Sequence, residues 1–257
     1  MTRVAPIGLL SVLLLIPARA ADLPADADKR VKEYEAQREA IRKKADDEAA
    51  AALARLVADL TALQEVYEKG GKKDEAKAVA DRIVRLGRDA DRAANVLVNG
   101  SFEEGPEAAA GGFTPVGAES TAIRGWKVTT GSVDHIGTYW KAADGDRSLD
   151  LNGNEVGAIA QTFKTIKGQK YRVTFALAAN ADAGAESMKV KVSAAGKSDE
   201  FTFEKKEVSR ENMGWVIKAW EFTATDDETT LEFTSLHTDE PFCGPALDDV
   251  IVAPIKK

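Results

Sequence analysis

The sequence predicts a mainly β protein, a sandwich or jelly roll, preceded by an α-helical hairpin. Three observations carry that reading. Residues 21–94 are rich in Ala and in charge, with apolar residues at helical spacing. From Asn95 the texture changes: Gly rises, Ala falls, and about nine short runs rich in Val, Phe and Thr alternate at period two. No helical period interrupts those runs, which is the pattern of stacked antiparallel sheets.

The first twenty residues read as a leader. Arg3 supplies a positive start, Ile7 to Ile16 an apolar run, and Ala18 and Ala20 the small residues of a cleavage site. That run is about half the length a bilayer span requires. The expected mature chain is therefore secreted or periplasmic, without a membrane span. Losing Arg3 and Arg19 takes its net charge from −7 to −9.

Residues 21–94 are expected to form the hairpin. Leu53, Leu56, Val57, Leu60, Leu63 and Tyr67 recur at helical spacing, and Val79, Ile83 and Leu86 form a second series. Gly70-Gly71 separates them, because glycine takes the left-handed cap conformation without steric cost. The helices are expected at about 28–69 and 74–94, the second with Asp74 and Glu75 at its positive end. The stretch from Asp28 to Ala52 has only Val31, Tyr34 and Ile41 as large apolar residues. Two readings stay open for it: a solvated spacer, or a coiled coil that makes a homo-oligomer. Sustained heptads are missing.

Residues 95–257 are expected to form the β-domain. Strands are expected over Trp126–Thr129, Ser148–Asn152, Ala158–Phe163, Tyr171–Ala178, Met188–Ser193, Glu200–Phe203, Ala219–Thr225, Thr230–Ser235 and Leu247–Val252, with Gly105 to Gly117 as a loop. This half carries 25 acidic and 17 basic residues. That balance repels a phosphate backbone, so no bulk electrostatic case for a nucleic-acid partner exists, and it suits a cation or a hydroxyl-rich ligand better than an anionic polymer. One Cys excludes an intrachain disulfide and a Cys-rich zinc site. Two His, neither near a Ser or Cys motif, point away from a hydrolase triad.

The runs NVLVNGSFEEGP from Asn95, IRGW from Ile123, SVDHIGTYWKAADGDRSLDLNG from Ser132, AIAQTF, NMGW, WEFTAT and GPALDDVIV from Gly244 resemble the choice-of-anchor C family. That family is related to domain of unknown function family 642 of plant cell-wall proteins. The resemblance covers residues 95–253. It implies a galactose-binding-like β-jelly roll, exported, associated with walls or envelopes, and binding polysaccharide. It does not extend to the hairpin. The sequence departs from the family at two points: no C-terminal anchoring segment like that of many members is expected, and Cys243 stands alone where plant relatives use disulfides.

In such a jelly roll the first and last strands are neighbours. Glu103 and Asp248 would then converge with backbone oxygens near Gly100 and Ser101, a donor chemistry suited to structural Ca²⁺. The alternative is a strand-end turn with solvated acids.

Tyr139-Trp140 lies in a Gly- and Asp-rich stretch. At strand alternation one ring packs while the other is exposed. Trp140 as a stacking platform, with Asp134, His135 and Asp144 as hydrogen-bond partners, suits a saccharide. The alternative is a folding signature. Asp150, Asn152 and Asn154 share one strand face, which reads either as a face for a ligand or as an ordinary solvated sheet surface.

The function expected from the sequence is that of an exported, non-catalytic carbohydrate-binding protein. Two other readings compete: an envelope structural or adhesion protein that binds proteins through the β-domain and oligomerises through the helices, and a glycosidase working through a carboxylate pair.

Overall fold

The computed structural model describes residues 24–109 and 111–255. The expected leader at residues 1–20 lies outside them. The chain divides at Asp59/Leu60 into two compact units. In the first, the described residues from Ala25 are helical. They belong to α1 (Ala25–Lys69), which is laced by exposed i,i+4 ion pairs such as Asp28–Lys32 at 2.8 Å and Lys43–Asp47 at 2.7 Å.

The second unit begins with the end of α1. Gly71, at φ +71°, makes the break, and the Lys72 N–H closes on the Tyr67 carbonyl at 2.9 Å. Helix α2 follows (Lys73–Ala93), with Ala76 buried and Val79, Ile83 and Leu86 half-buried. No described helix is long and apolar enough to cross a membrane.

Eleven strands follow: β1 (Phe113–Gly117), β2 (Lys127–Thr130), β3 (Ser132–Ile136), β4 (Ser148–Asp150), β5 (Ala158–Lys164), β6 (Lys170–Ala179), β7 (Ser187–Ala194), β8 (Lys197–Glu204), β9 (Val216–Thr223), β10 (Glu228–Ser235) and β11 (Pro245–Pro254). They build two antiparallel sheets, ordered β1-β3-β4-β11-β6-β9 and β2-β5-β10-β7-β8. The predicted β-sandwich is what forms. Two of its strands lie where the sequence shows none. β1 falls in the expected loop, and it tolerates Pro115 because it is an edge strand, where a missing N–H costs no ladder bond. β3 is buried along its whole length, polar residues included, so it shows no alternation.

Aromatic rings tie the sheets together. Phe175 of β6 meets Phe233 of β10 edge-on at 5.1 Å, and Trp126 lies against Phe102 at 5.2 Å and Phe233 at 6.4 Å. Each ring so buried contributes up to about 3 kcal/mol by area.

The segment from Asn95 to Gly100 lies along β11. The Val96 N–H donates to the Val252 carbonyl at 2.9 Å, and the Val250 N–H to the Gly100 carbonyl at 2.8 Å. The Val252 N–H reaches the Asn95 side chain at 2.9 Å. Across the sandwich, Gln161 of β5 clasps Val98, taking its N–H at 2.7 Å and donating to its carbonyl at 2.8 Å. The first segment of the sandwich is thus hydrogen-bonded to both sheets. β11 slips register between Asp248 and Ile251, and Asp249 sits there at φ +48°. The Asp249 carboxylate bonds Arg88, and also Arg92 at 2.9 Å; Arg92 reaches Asp144 at 2.7 Å, and Asp91 faces Arg172 at 3.6 Å. These pairs hold α2 on the β-domain, so the second helix packs as part of the sandwich unit.

Candidate functional site

The loop between β3 and β4, residues 137–147, lines a recess of about 500 Å³. Its backbone is gripped from behind. Asp248 Oδ2 accepts the N–H groups of Ala143 and Asp144 at 2.8 and 2.9 Å. Glu103 Oε1 accepts those of Asp146 and Arg147, both at 3.0 Å. The grip is close: a Cβ on Gly145 would fall 2.3 Å from that Glu103 oxygen. Trp215 Nε1 donates to the Lys141 carbonyl at 2.9 Å, and the Lys141 N–H donates to the Arg210 carbonyl at 2.8 Å.

Tyr139, Trp140, Lys141, Asp146, Arg147 and Glu211 line this cavity. Tyr139 is half-buried, its ring edge-on to Phe113 at 5.1 Å and under the Arg210 guanidinium at 4.0 Å. Its hydroxyl donates to Asp182 at 2.6 Å and accepts from Arg210 at 2.7 Å. Burial and then Asp182 push the Tyr139 phenol up, while the Arg210 hydrogen bonds hold Asp182 below the usual carboxylate range. The phenol therefore stays neutral, as a fixed wall of the cavity. The Arg147 guanidinium lies over Gly137, where any Cβ would come within 2.8 Å of its Nη1.

The structure separates the residues that the sequence grouped. Tyr139 and Trp140 line the cavity, but Trp140 is only 4% exposed and donates its indole N–H to Ser148 Oγ at 2.8 Å. It is a packed residue and offers no open face for stacking. Asp134, His135 and Asp144 are outside the cavity wall. His135 is fully buried, its ring nitrogens 3.0 and 2.8 Å from the carbonyls of Pro106 and Phe102. It holds the 102–106 segment in place. Asp144 is paired with Arg92. Asp134 is buried beside Asp150 on the neighbouring strand, and one of its oxygens has no partner. Burial lifts its carboxyl to about 6.

The face carrying Asp150 and Asn152 is equally a correction. Both are buried, where the sequence suggested a solvated surface; Asn154 is exposed as expected. Asp150 accepts from the Asn152 and Gly244 N–H groups at 2.8 and 2.9 Å and from the Asn180 amide at 2.8 Å. Desolvation outweighs those donors and raises its carboxyl to about 7. Cys243 is a free, half-buried thiol, pushed up by burial and by Asp150, which is the opposite of an activated nucleophile.

Glu103, Asp248, Gly100 and Ser101 are the residues that the sequence assigns to Ca²⁺. Here Asp248 takes three N–H groups, two on Oδ2 and that of Asp249 on Oδ1 at 2.6 Å. Glu103 Oε1 takes two, and the Gly100 carbonyl takes one. The Asp248 carboxyl, fully buried, rises to about 8 despite its donors. A cation needs six or more free oxygens. Both Asp248 oxygens, Glu103 Oε1 and the Gly100 carbonyl already face hydrogen-bond donors, so the four residues as placed do not fit Ca²⁺. Among the described residues no group of three or more His, Cys, Asp or Glu side chains is placed to hold a metal.

Lys141, Asp146, Arg147 and Glu211 were not legible as site residues. The sequence marks their neighbourhood through Tyr139-Trp140, but a lysine or glutamate in a polar loop looks the same whether it faces a cavity or bulk water.

The fold and site define a two-sheet β-sandwich with a polar, aromatic-walled recess at one loop. The chain belongs to the family described as Protein of unknown function (DUF642), whose model matches residues 95–253. Halomucin of Haloquadratum walsbyi (strain DSM 16790 / HBSQ001) is 29% identical over 62% of this chain and 2% of its own length. Protein DUF642 L-GALACTONO-1,4-LACTONE-RESPONSIVE GENE 2 of Arabidopsis thaliana is 27% identical over 63% of this chain and 47% of its own length. This chain thus spans less than half the length of these curated relatives. Among solved structures, TmCBM61 in complex with beta-1,4-galactotriose aligns over 63% of this chain and 99% of its own, at 16% identity and a TM-score of 0.39.

Proposed function

We propose that this is an exported protein whose β-domain binds polysaccharide without cleaving it, through the cavity at residues 137–147. One observation carries the reading: a recess of about 500 Å³ in which an aromatic wall, Tyr139, meets carboxylates and cations on a backbone fixed by Asp248 and Glu103. Sugar rings present C–H faces to aromatics and hydroxyls to carboxylates, and a preformed polar recess binds them without an ordering cost. Tyr139, not Trp140, is the ring this site offers.

The test is a polysaccharide array probed with the whole chain, wild type beside Glu211→Ala and Asp146→Ala, both exposed positions on the cavity wall. Retention that falls tenfold or more in either variant supports the reading. No retention on any polysaccharide refutes it. Two carboxylates line the recess, so the supernatants are assayed for new reducing ends; their release would replace binding with hydrolysis.

A further inference from the structure

We infer that the cavity is built for an acidic sugar: Arg147, with Lys141 beside it, receives the carboxylate of a uronate-bearing polysaccharide. This rests on the polysaccharide reading above and narrows it to a substrate class.

Arg147 Nη1 is buried and has no hydrogen-bond partner. Its nearest carboxylate, Glu107, stands 3.8 Å from Nη2 on a side chain that is 100% exposed, so this pair is loose and solvent-screened. Buried polar atoms are nearly always partnered; Nη1 itself is closed off against Gly137, so a ligand meets this charge through the part of the side chain that stays open to the cavity. The side chain cannot retreat. Gly137 lies directly beneath Nη1, and the backbone N–H of Arg147 is held by Glu103. About a fifth of the side chain remains open, 21%, and it belongs to the cavity wall.

The rest of the lining points the same way. Lys141 is exposed on the same wall, and among the described residues it makes no ion pair. Asp146 and Glu211 add two carboxylates. A neutral sugar's hydroxyls can donate to the two acids and accept from the guanidinium, but they bring no countercharge to Arg147 and Lys141. A uronate offers both: hydroxyls that donate to Asp146 and Glu211, and a planar carboxylate that accepts from the guanidinium fork. The acidic balance of the β-domain acts against a polyanion only over distance. At physiological salt it is screened beyond about 8 Å, whereas the contact at Arg147 is direct.

The experiment compares polygalacturonate and alginate with their methyl esters, which keep the sugars and remove the charge, and with neutral galactan and xylan. Binding of the whole chain is measured by isothermal calorimetry. The expected result is binding to at least one free acid tenfold or more tighter than to its ester. That preference collapses towards one in Arg147→Met, which keeps an unbranched apolar stem and removes the guanidinium, and shrinks in Lys141→Met, an exposed position that spares the fold. Equal binding of acid and ester, binding confined to the neutral polymers, or a preference that persists in Arg147→Met overturns this inference and leaves the polysaccharide reading standing. No binding to any polymer removes both.

Discussion

Asp134→Asn is expected to stabilise the protein, and only above mildly acidic pH. Asp134 is 8% exposed and directly opposite Asp150, with Oδ1 unpartnered. Burial raises its carboxyl from 3.8 to about 6. A carboxyl raised by folding holds its proton in the native state more tightly than in the unfolded one. Its contribution is fully present below about pH 4 and is lost as the pH climbs through about 6. A shift of roughly two units corresponds to about 3 kcal/mol, a large share of a typical net stability of about 5–15 kcal/mol. Asparagine keeps the shape and cannot ionise. Urea unfolding of wild type and variant at pH 4.5, 6 and 8 should therefore show little difference at pH 4.5 and a variant advantage of about 2–3 kcal/mol at pH 8. Part of that gain comes through Asp150, whose own carboxyl is raised further by the Asp134 charge. A difference that stays constant across this range, or a wild type that wins at pH 8, would mean that Asp134 is not a buried acid.

Removing Arg88 leaves the Asp249 carboxylate, whose side chain is 6% exposed, with Arg92 alone. Arg88→Ala should cost about 3 kcal/mol in urea unfolding and speed amide exchange in α2; unchanged protection there would show that the ion pairs do not hold the helix. Trp140→Ala should cost about 3–5 kcal/mol in stability, as a core truncation does. A variant that keeps full stability and loses only sugar retention would restore Trp140 as a binding ring. Because both Asp248 oxygens, Glu103 Oε1 and the Gly100 carbonyl are taken by N–H groups, a chelator should leave the melting temperature where it is, and a rise on adding Ca²⁺ would contradict that assignment.

The two helices and nine of the strands were legible because they rest on local periodicity and on glycine. α2 was expected from Asp74 and runs from Lys73. Strands β1 and β3 were hidden, one by a proline that its edge position allows, the other by burial on both faces. The family signatures were visible as words but not as roles. Asn99 shows why. At φ +54° it binds the backbone of Glu104 and Arg124 while its carbonyl takes the Trp126 indole N–H at 2.9 Å. Asn95, Gln161 and Asp248 likewise bond main chain far away in sequence. Such partners are fixed by topology, which no spacing reveals. The same limit misdirected Asp134, His135 and Asp144: a polar residue near two aromatics is as ready to secure a segment as to meet a ligand. Arg147 escaped notice because its distinguishing feature is a missing partner, and only coordinates show what is missing.

Asp248 and Glu103 hold residues 143–147 by peptide N–H groups alone. Every amino acid except proline supplies that group. The mount is therefore indifferent to the side chain at 146, though Gly145 is fixed by its close approach to Glu103 and Asp144 by its pair with Arg92. The side chain at 146 can be exchanged while the ribbon keeps its course, and relatives sharing this frame are free to diverge in taste there without rebuilding the architecture beneath.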